Sequence, residues 1–433
     1  MIIAQGKVYD SALQNEILAG LENEINNTLA RKTLPKEKVI NAVSVLSKRI
    51  AAGEFDKQIA ELPIDGAEQY KELAVKLLSR ENIEFKLRTE LGADFAESYV
   101  SQPPFGFTKL KVRAMPLGVI LHIAAGNADG LPAFSVAEGL LTGNVNILKL
   151  PQADNGLTVE IIRELINTEP ALADFIYVFD TPSSDLPAIK KMADMADGIV
   201  VWGGDAAVSA VRKFAPMGTK LIEWGHKLSF AYISGYADKE KELAALAEHI
   251  IATKQLLCSS CQTIYIDTDS MEEVCTFCRE FLPYLEKAAE NHRPSDIGSV
   301  AEVTLLKYAS RLEAAISGEK KENTFRSALC GLVPKEDNEL ELSELFGCCL
   351  VKRLSRKDIL PVLRRKKGYL QTAGLICSPE KREELADILA RSGVVRITGA
   401  GTMSDTFSGE AHDGEYPLRR YMRIVDEEVP IKT

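Results

Sequence analysis

Between residues 118 and 224, short β-branched runs alternate with amphipathic stretches, and this alternation most constrains what the chain can fold into. The apolar runs cover 118–123, 145–149, 175–179, 198–202 and 220–223, with helical patterns between them, as at 157–167 and 206–214. Strands joined by crossover helices form a parallel sheet covered on both faces. Such sheets hold ligands at the carboxyl ends of their strands. The loops after these runs are therefore where chemistry is expected.

Residues from about 11 to 98 read as helical, and Leu91-Gly92, Pro103-Pro104 and Gly106 punctuate their end. A second α/β unit follows Glu223. Asp238 is placed to cap a helix with apolar positions Leu243, Leu246, Ile250 and Ile251. A polar, cysteine-bearing turn and a strand at 263–266 come next. The tail from Thr398 is rich in glycine, then charged and strand-like. The expected division is 1–227, a helical region with a cofactor-binding domain; 228–397, a catalytic domain; and 398–433, an oligomerisation arm or a return to the first domain.

A chain of 433 residues, 46% apolar, can bury a large core without disulfide or metal staples. Its formal charge of −10 argues against a nucleic-acid partner. No apolar run reaches the roughly 18 residues of a membrane span, and Met1 to Asp10 lack the blocks of a secretory signal. Eight cysteines are too sparse for a disulfide scaffold, so reduced thiols in a cytoplasm are expected.

Cys258 lies between an expected helix end and a strand start, in Gln255-Leu256-Leu257-Cys258-Ser259-Ser260-Cys261-Gln262. A thiolate in such a loop is a natural nucleophile toward an aldehyde or thioester; a small buried hydrophobe is the common alternative. Cys258-x-x-Cys261 and Cys275-x-x-Cys278 also admit a zinc or redox module. Against zinc, Cys275 and Cys278 fall inside a helical pattern with Phe281 and no knuckle glycine. Glu223 ends a strand, where a carboxylate can act as a general base through water or simply be solvated. Asn127 follows another strand; its amide could donate to an oxyanion, or it could serve as a turn residue. Gly203-Gly204 joins a strand to a helix and could admit a phosphate to the helix N-terminus. The five histidines share no ligand spacing, so no metal is expected. Eight Lys or Arg between Lys352 and Lys367 read as a solvated helix face, part of which could meet a phosphorylated substrate.

The order of these features carries more than any one of them. Pro116-x-Gly118-Val119, Asn127, Gly143-Asn144-x-x-x-Leu148-Lys149, Gly203-Gly204, Glu223-x-Gly225-x-Lys227, Cys258 and Glu344-Leu345-Phe346-Gly347 together resemble the aldehyde dehydrogenase superfamily. Glu223 and Cys258 lie 35 positions apart, and Glu344 comes 86 later. Within that superfamily the chain resembles the LuxC-type acyl-CoA reductases. The features are Cys258-Ser259-Ser260 with Gln262, Leu370-Gln371-Thr372-Ala373-Gly374, and His412-Asp413-Gly414-x-x-Pro417-Leu418.

The resemblance implies a Rossmann-like cofactor domain, a catalytic α/β domain and a small oligomerisation arm joining residues near 100–115 with the tail. It implies Cys258 as nucleophile, Asn127 as oxyanion-hole donor and Glu223 as the base of hydrolytic members. Lys149 would hold the adenosine ribose, with Gln152 beside it. Gly203, Gly204 and Gly225 belong to the cofactor motifs, and Glu344 and Phe346 would position the nicotinamide ribose and ring. Gly126 stands where a tryptophan is frequent, His226 where a glycine is, and Gln152 where many NAD-dependent members have glutamate. The expected reaction is reduction of an acyl-CoA or other acyl thioester to aldehyde with NADPH, or with NADH. The alternatives are aldehyde oxidation to the acid and the CxxC module. A homodimer or higher homo-oligomer is expected, and an acyl-activating protein partner is compatible with the resemblance.

Overall fold

The computed structural model describes residues 1–61, 67–96, 98–102, 104, 109–124, 130–152, 156–292, 305, 308, 325–327, 329–407 and 409–429. The chain divides into two compact units: Met1–Gly225 with Phe407–Thr433, and His226–Thr406.

In the first unit, five parallel strands stand in the order Ile176–Phe179, Val145–Lys149, Val119–Ile123, Gly198–Trp202, Lys220–Trp224. Helices flank them. Residues of the central strands, such as Ile120, Leu121, Ile147 and Val200, are fully buried. Each such side chain contributes about 1.5–3 kcal/mol by leaving water, which explains the continuous rather than alternating apolar runs. The chain winds outward in opposite directions from the pair Val119–Ile123 and Gly198–Trp202. The crevice at their carboxyl ends is thus the topological switch point.

A hairpin that periodicity did not reveal completes this sheet. Ile2–Ala4 pairs antiparallel with Ile176–Phe179 and with Lys7–Tyr9. Gln5 (φ 49°) and Gly6 (φ 72°) make its two-residue turn. Three-residue strands are too short to show a period-2 pattern.

The N-terminal helices Gln14–Arg31 and Lys36–Ala51 send Leu21, Ile25, Val43 and Leu46 into the same core. In Arg80–Ala96 the helix is interrupted at Gly92, whose φ of 63° few other residues adopt. Before that break Lys86 is buried between Glu90 and Glu138, 3.0 Å from the latter. The other Glu90 oxygen accepts from Leu418 N at 2.9 Å, which ties the returning tail to this helix. Met422–Val429 then pairs with Lys109–Pro116, which also pairs with Tyr99–Ser101, in a separate antiparallel sheet.

The second unit has seven strands in the order Phe325–Arg326, Gly331–Lys335, Cys348–Arg353, Cys261–Ile266, Leu228–Ser234, Leu370–Cys377, Arg396–Thr398. All neighbours are parallel except the first pair. Gly374 lets another segment approach the sheet: a Cβ there would lie 2.8 Å from Ala400 Cα and 2.6 Å from Met403 Sδ. Part of the Leu370–Gly374 motif is thus a packing requirement.

The basic stretch 352–367 is not one solvated helix face. Lys352 lies on a strand, fully buried, with Nζ 2.6 Å from both Asp337 and Glu341. Arg356 pairs with Glu384 and Lys357 with Asp269. Strand periodicity buried Lys352, and nearby acids took up the next charges.

Candidate active site

The cysteine loop is built from the residues around it. Asp238 caps the helix Lys239–Ala252 by accepting from Lys241 N. The helix stops where Lys254 (φ 48°) and Gln255 (φ 61°) turn left-handed. Strand Cys261–Ile266 begins six residues on. Between them Cys258 is exposed. Its carbonyl accepts from Ser229 Oγ at 2.7 Å, and Ser229 Oγ accepts from Thr372 N at 3.0 Å. The loop is thereby held to two strands of the sheet. Ser260 Oγ accepts from Leu257 N at 3.1 Å, and Ser259 and Ser404 hydroxyls meet at 2.7 Å.

Two buried glutamines connect this loop to Glu344–Gly347. Gln255 donates to Cys261 O (2.9 Å) and accepts from Gly347 N (3.1 Å). Gln262 donates to Gln255 O (2.8 Å) and accepts from Ser343 Oγ (2.8 Å). Phe346 N donates to Lys254 O at 3.0 Å. Leu345, Phe346 and Gly347 all have positive φ, at 62°, 49° and 81°. For Leu345 and Phe346 that conformation is strained and persists only where the surroundings hold it. Glu344 meets Arg326 Nη2 with both oxygens, at 2.8 and 2.9 Å. The structure thus brings Cys258, Glu344 and Phe346 into one cross-linked neighbourhood. Sequence reasoning missed Gln255, Ser229 and Arg326 as its supports; of the glutamines only Gln262 carried a motif signal.

The other candidates stand in the first unit, along the carboxyl edge of its sheet. Lys149 ends its strand, donates to Ser183 Oγ at 2.9 Å and is pushed below the usual lysine range by burial, with Asp180 opposing. Gln152 follows in an exposed turn. Gly203 and Gly204 link Gly198–Trp202 to the helix Asp205–Phe214. A Cβ on Gly204 would meet nothing within 4 Å, so there is open space beside the start of this helix. A cationic Lys149 and open space beside a helix N-terminus fit the phosphates and ribose of a dinucleotide. Gly225 follows the neighbouring strand Lys220–Trp224. On that strand, Glu223 receives two bonds of 2.6 Å from Arg212, a bidentate ion pair. Asn127 lies outside the described residues.

The two CxxC pairs are not presented to a common ion. Cys261 donates to Thr263 O at 3.5 Å inside the core, and burial pushes the Cys278 thiol up to about 12. Among the described residues no three His, Cys, Asp or Glu side chains are arranged to hold a metal. Nor is any described helix long and apolar enough to cross a membrane.

Residues 32–424 match the LuxC family, described as acyl-CoA reductase. The chain is 27% identical over 367 residues to the long-chain acyl-protein thioester reductase of Vibrio harveyi, covering 83% of this chain and 73% of that one. It is 26% identical over 326 residues to long-chain acyl-protein thioester reductase 2 of Photobacterium leiognathi, covering 74% and 66%. Its fold is similar to the NADP-dependent glyceraldehyde-3-phosphate dehydrogenase of Bacillus halodurans, with a TM-score of 0.68, 14% identity, and coverage of 99% and 95%. The chain belongs to the LuxC family of acyl-CoA reductases, and this oxidoreductase has the aldehyde dehydrogenase fold, being similar to a lactaldehyde dehydrogenase with a TM-score of 0.68, 15% identity and coverage of 99% and 95%.

Proposed function

We propose that this protein reduces a long-chain acyl thioester, carried on CoA or on a protein, to the aldehyde through a covalent acyl-enzyme on Cys258. The observation that carries the reading is the loop itself: an exposed cysteine whose carbonyl and flanking residues are pinned from two strands and from the Glu344–Gly347 turn. The Cys258 thiolate attacks the thioester carbonyl, the carrier thiolate leaves, and a thioester to Cys258 remains. Asn127 is assigned to the developing oxyanion, with the backbone N–H of Cys258. A bound reduced nicotinamide supplies the hydride to the acyl carbon. Cys258 then departs as thiolate and aldehyde is released. Lys149, Gln152, Gly203, Gly204 and Gly225 hold the dinucleotide in this reading, and Glu344 and Phe346 its nicotinamide ribose and ring. The protein acts as a cytoplasmic homodimer or higher homo-oligomer, with the three-stranded sheet as its arm and an acyl-activating protein supplying substrate.

Water must not reach the acyl-enzyme, or acid forms instead. Glu223 is the residue that would activate water. Both its oxygens accept from Arg212, so one lone pair of each is already engaged, and this favours reduction over hydrolysis. Purified protein is expected to consume NAD(P)H only when a long-chain acyl thioester is present, releasing aldehyde and free thiol in equal amounts. Oxidation of aldehydes to acids without CoA, with no thioester reduced at any chain length, would falsify the reading in favour of an ordinary aldehyde dehydrogenase.

Cofactor choice follows from charge. A carboxylate beside the adenosine ribose binds a free 2′-OH and repels a 2′-phosphate. Gln152 is neutral, so NADPH should be accepted at least as well as NADH. Gln152→Glu should shift the kcat/KM ratio toward NADH by about tenfold, the effect of roughly 1.4 kcal/mol. A wild type that rejects NADPH would refute this assignment.

A further inference from the structure

A line of buried polar groups runs through the first unit to the switch point, and its proton direction is fixed. Asn146 Nδ2 donates to two carbonyls, Asn144 O at 2.8 Å and Phe175 O at 3.3 Å. Its Oδ1 therefore accepts, and the proton comes from His122 Nε2 at 3.0 Å. His122 Nδ1 is then left to accept from the Ser135 hydroxyl at 2.8 Å. Ser135 Oγ in turn accepts from Trp202 Nε1 at 3.2 Å. Burial pushes His122 down to about 4, so the ring stays neutral and the direction holds at neutral pH. Gly139 makes room for the line, since a Cβ there would collide with the Asn146 amide oxygen. Three buried residues are thus committed to fixing one half-buried indole.

That indole ends Gly198–Trp202 and belongs to an aromatic cluster. Its ring centroid lies 5.6 Å from Trp224 and 5.1 Å from His412. Trp224 and His412 meet edge-to-face at 4.8 Å. His412 is delivered by a tight turn in which Glu415 N donates to His412 O at 2.9 Å. Asp413 (φ 49°) and Gly414 (φ 82°) are its central residues. Asp and Gly are the pair such a turn demands, so the His412-Asp413-Gly414 motif has a structural role that ends at an imidazole. The His412 side chain is 41% exposed, while Asp413 is nearly buried with Oδ2 3.8 Å from His412 Nε2.

The location of the cluster gives it a purpose. Gly203-Gly204 follows Trp202 directly, at the edge where the dinucleotide phosphates are assigned. Lys149 and Gln152, assigned to the adenosine half, stand two strands away on one side. Trp202, Trp224 and His412 stand at the turn and toward its other side. We propose that Trp202 and His412, backed by Trp224, form the surface against which the nicotinamide half of the dinucleotide lies. In this proposal the Asn146–His122–Ser135 line sets the angle of that surface. Flat aromatic groups offer a flat heteroaromatic ring contact at little entropic cost. Trp202 is then a cofactor-positioning residue, and Ser135 acts through it.

The inference rests on the nicotinamide reading above, and its test separates the two. The dissociation constant for NADPH is read from the fluorescence of the reduced nicotinamide, and that for 2′,5′-ADP, the adenosine half alone, by calorimetry. Trp202→Leu should weaken NADPH about tenfold and leave 2′,5′-ADP within about twofold, tenfold being roughly 1.4 kcal/mol. Ser135→Ala removes the hydroxyl that joins His122 to Trp202, two hydrogen bonds of which one fixes the indole, and should weaken NADPH about fivefold in the same selective way. Trp202→Phe, which keeps a ring but loses the N–H, should match Ser135→Ala and serves if the leucine variant misfolds. Unchanged NADPH affinity in these variants, or equal loss for both ligands, overturns the platform while leaving the nicotinamide reading intact. A wild type that binds neither NADPH nor NADH overturns both. Acyl labelling of Cys258 is scored separately and tests only the acyl-enzyme.

Discussion

Cys258→Ala is expected to abolish acyl transfer. In a single-turnover experiment with labelled acyl-CoA, wild-type protein should retain label after denaturation and the variant should not. Steady-state reduction should fall by about four orders of magnitude or more, as is usual when a covalent nucleophile is lost. Cys261→Ala provides the contrast. That sulfur is buried at the start of a strand, and deleting it leaves a small cavity costing about 1 kcal/mol, with most turnover kept. Label that follows Cys261 instead would reverse the assignment of the nucleophile.

Gln255→Ala should come next in size. Gln255 is 1% exposed, and both ends of its amide are bonded. Removing it leaves the Gly347 N–H and the Cys261 carbonyl short of a partner, a cost of about 1–3 kcal/mol for a buried group. It also removes the side-chain bond that ties the cysteine loop to Gly347, leaving the backbone bond from Phe346 N to Lys254 O. Misplacement by about 1 Å can cost a factor near 100 in rate, so turnover should drop by about that much. A denaturant midpoint and kcat measured on the same preparation check both effects. Lowered stability with wild-type kcat would show that Gln255 holds the fold and not the nucleophile.

Much of the architecture was legible because the code for it is local. The runs at 145–149 and 198–202 form strands with those bounds, and Asp238 caps the helix it was expected to cap. The cysteine was also legible as a loop residue, since a helix end and a strand start flank it. What sequence could not show depends on partners far along the chain. Ser229 grips Cys258 and Thr372, and Gln255 reaches Gly347; no spacing rule links these positions. His122 looked like one of five scattered histidines, yet its meaning comes from Ser135 and Asn146 on other elements. Lys352 was misread for a related reason. A run of basic residues suggests a wet surface, and only the strand register reveals that its first member points inward toward Asp337 and Glu341.

The placement of the eight thiols bears on how the protein can be counted. Cys258 is the exposed one, Cys275 is half-buried, and the other six are buried. Burial raises the Cys278, Cys349 and Cys377 thiols above the ordinary range, which keeps them protonated and slow toward electrophiles. A bulky alkylating reagent applied to the folded protein should therefore titrate close to one equivalent per chain before Cys275 joins. The remaining thiols should become reactive only on unfolding. With Cys258 as the proposed nucleophile, one stoichiometric reagent should report the concentration of protein able to form the acyl-enzyme, and the late-reacting thiols its integrity.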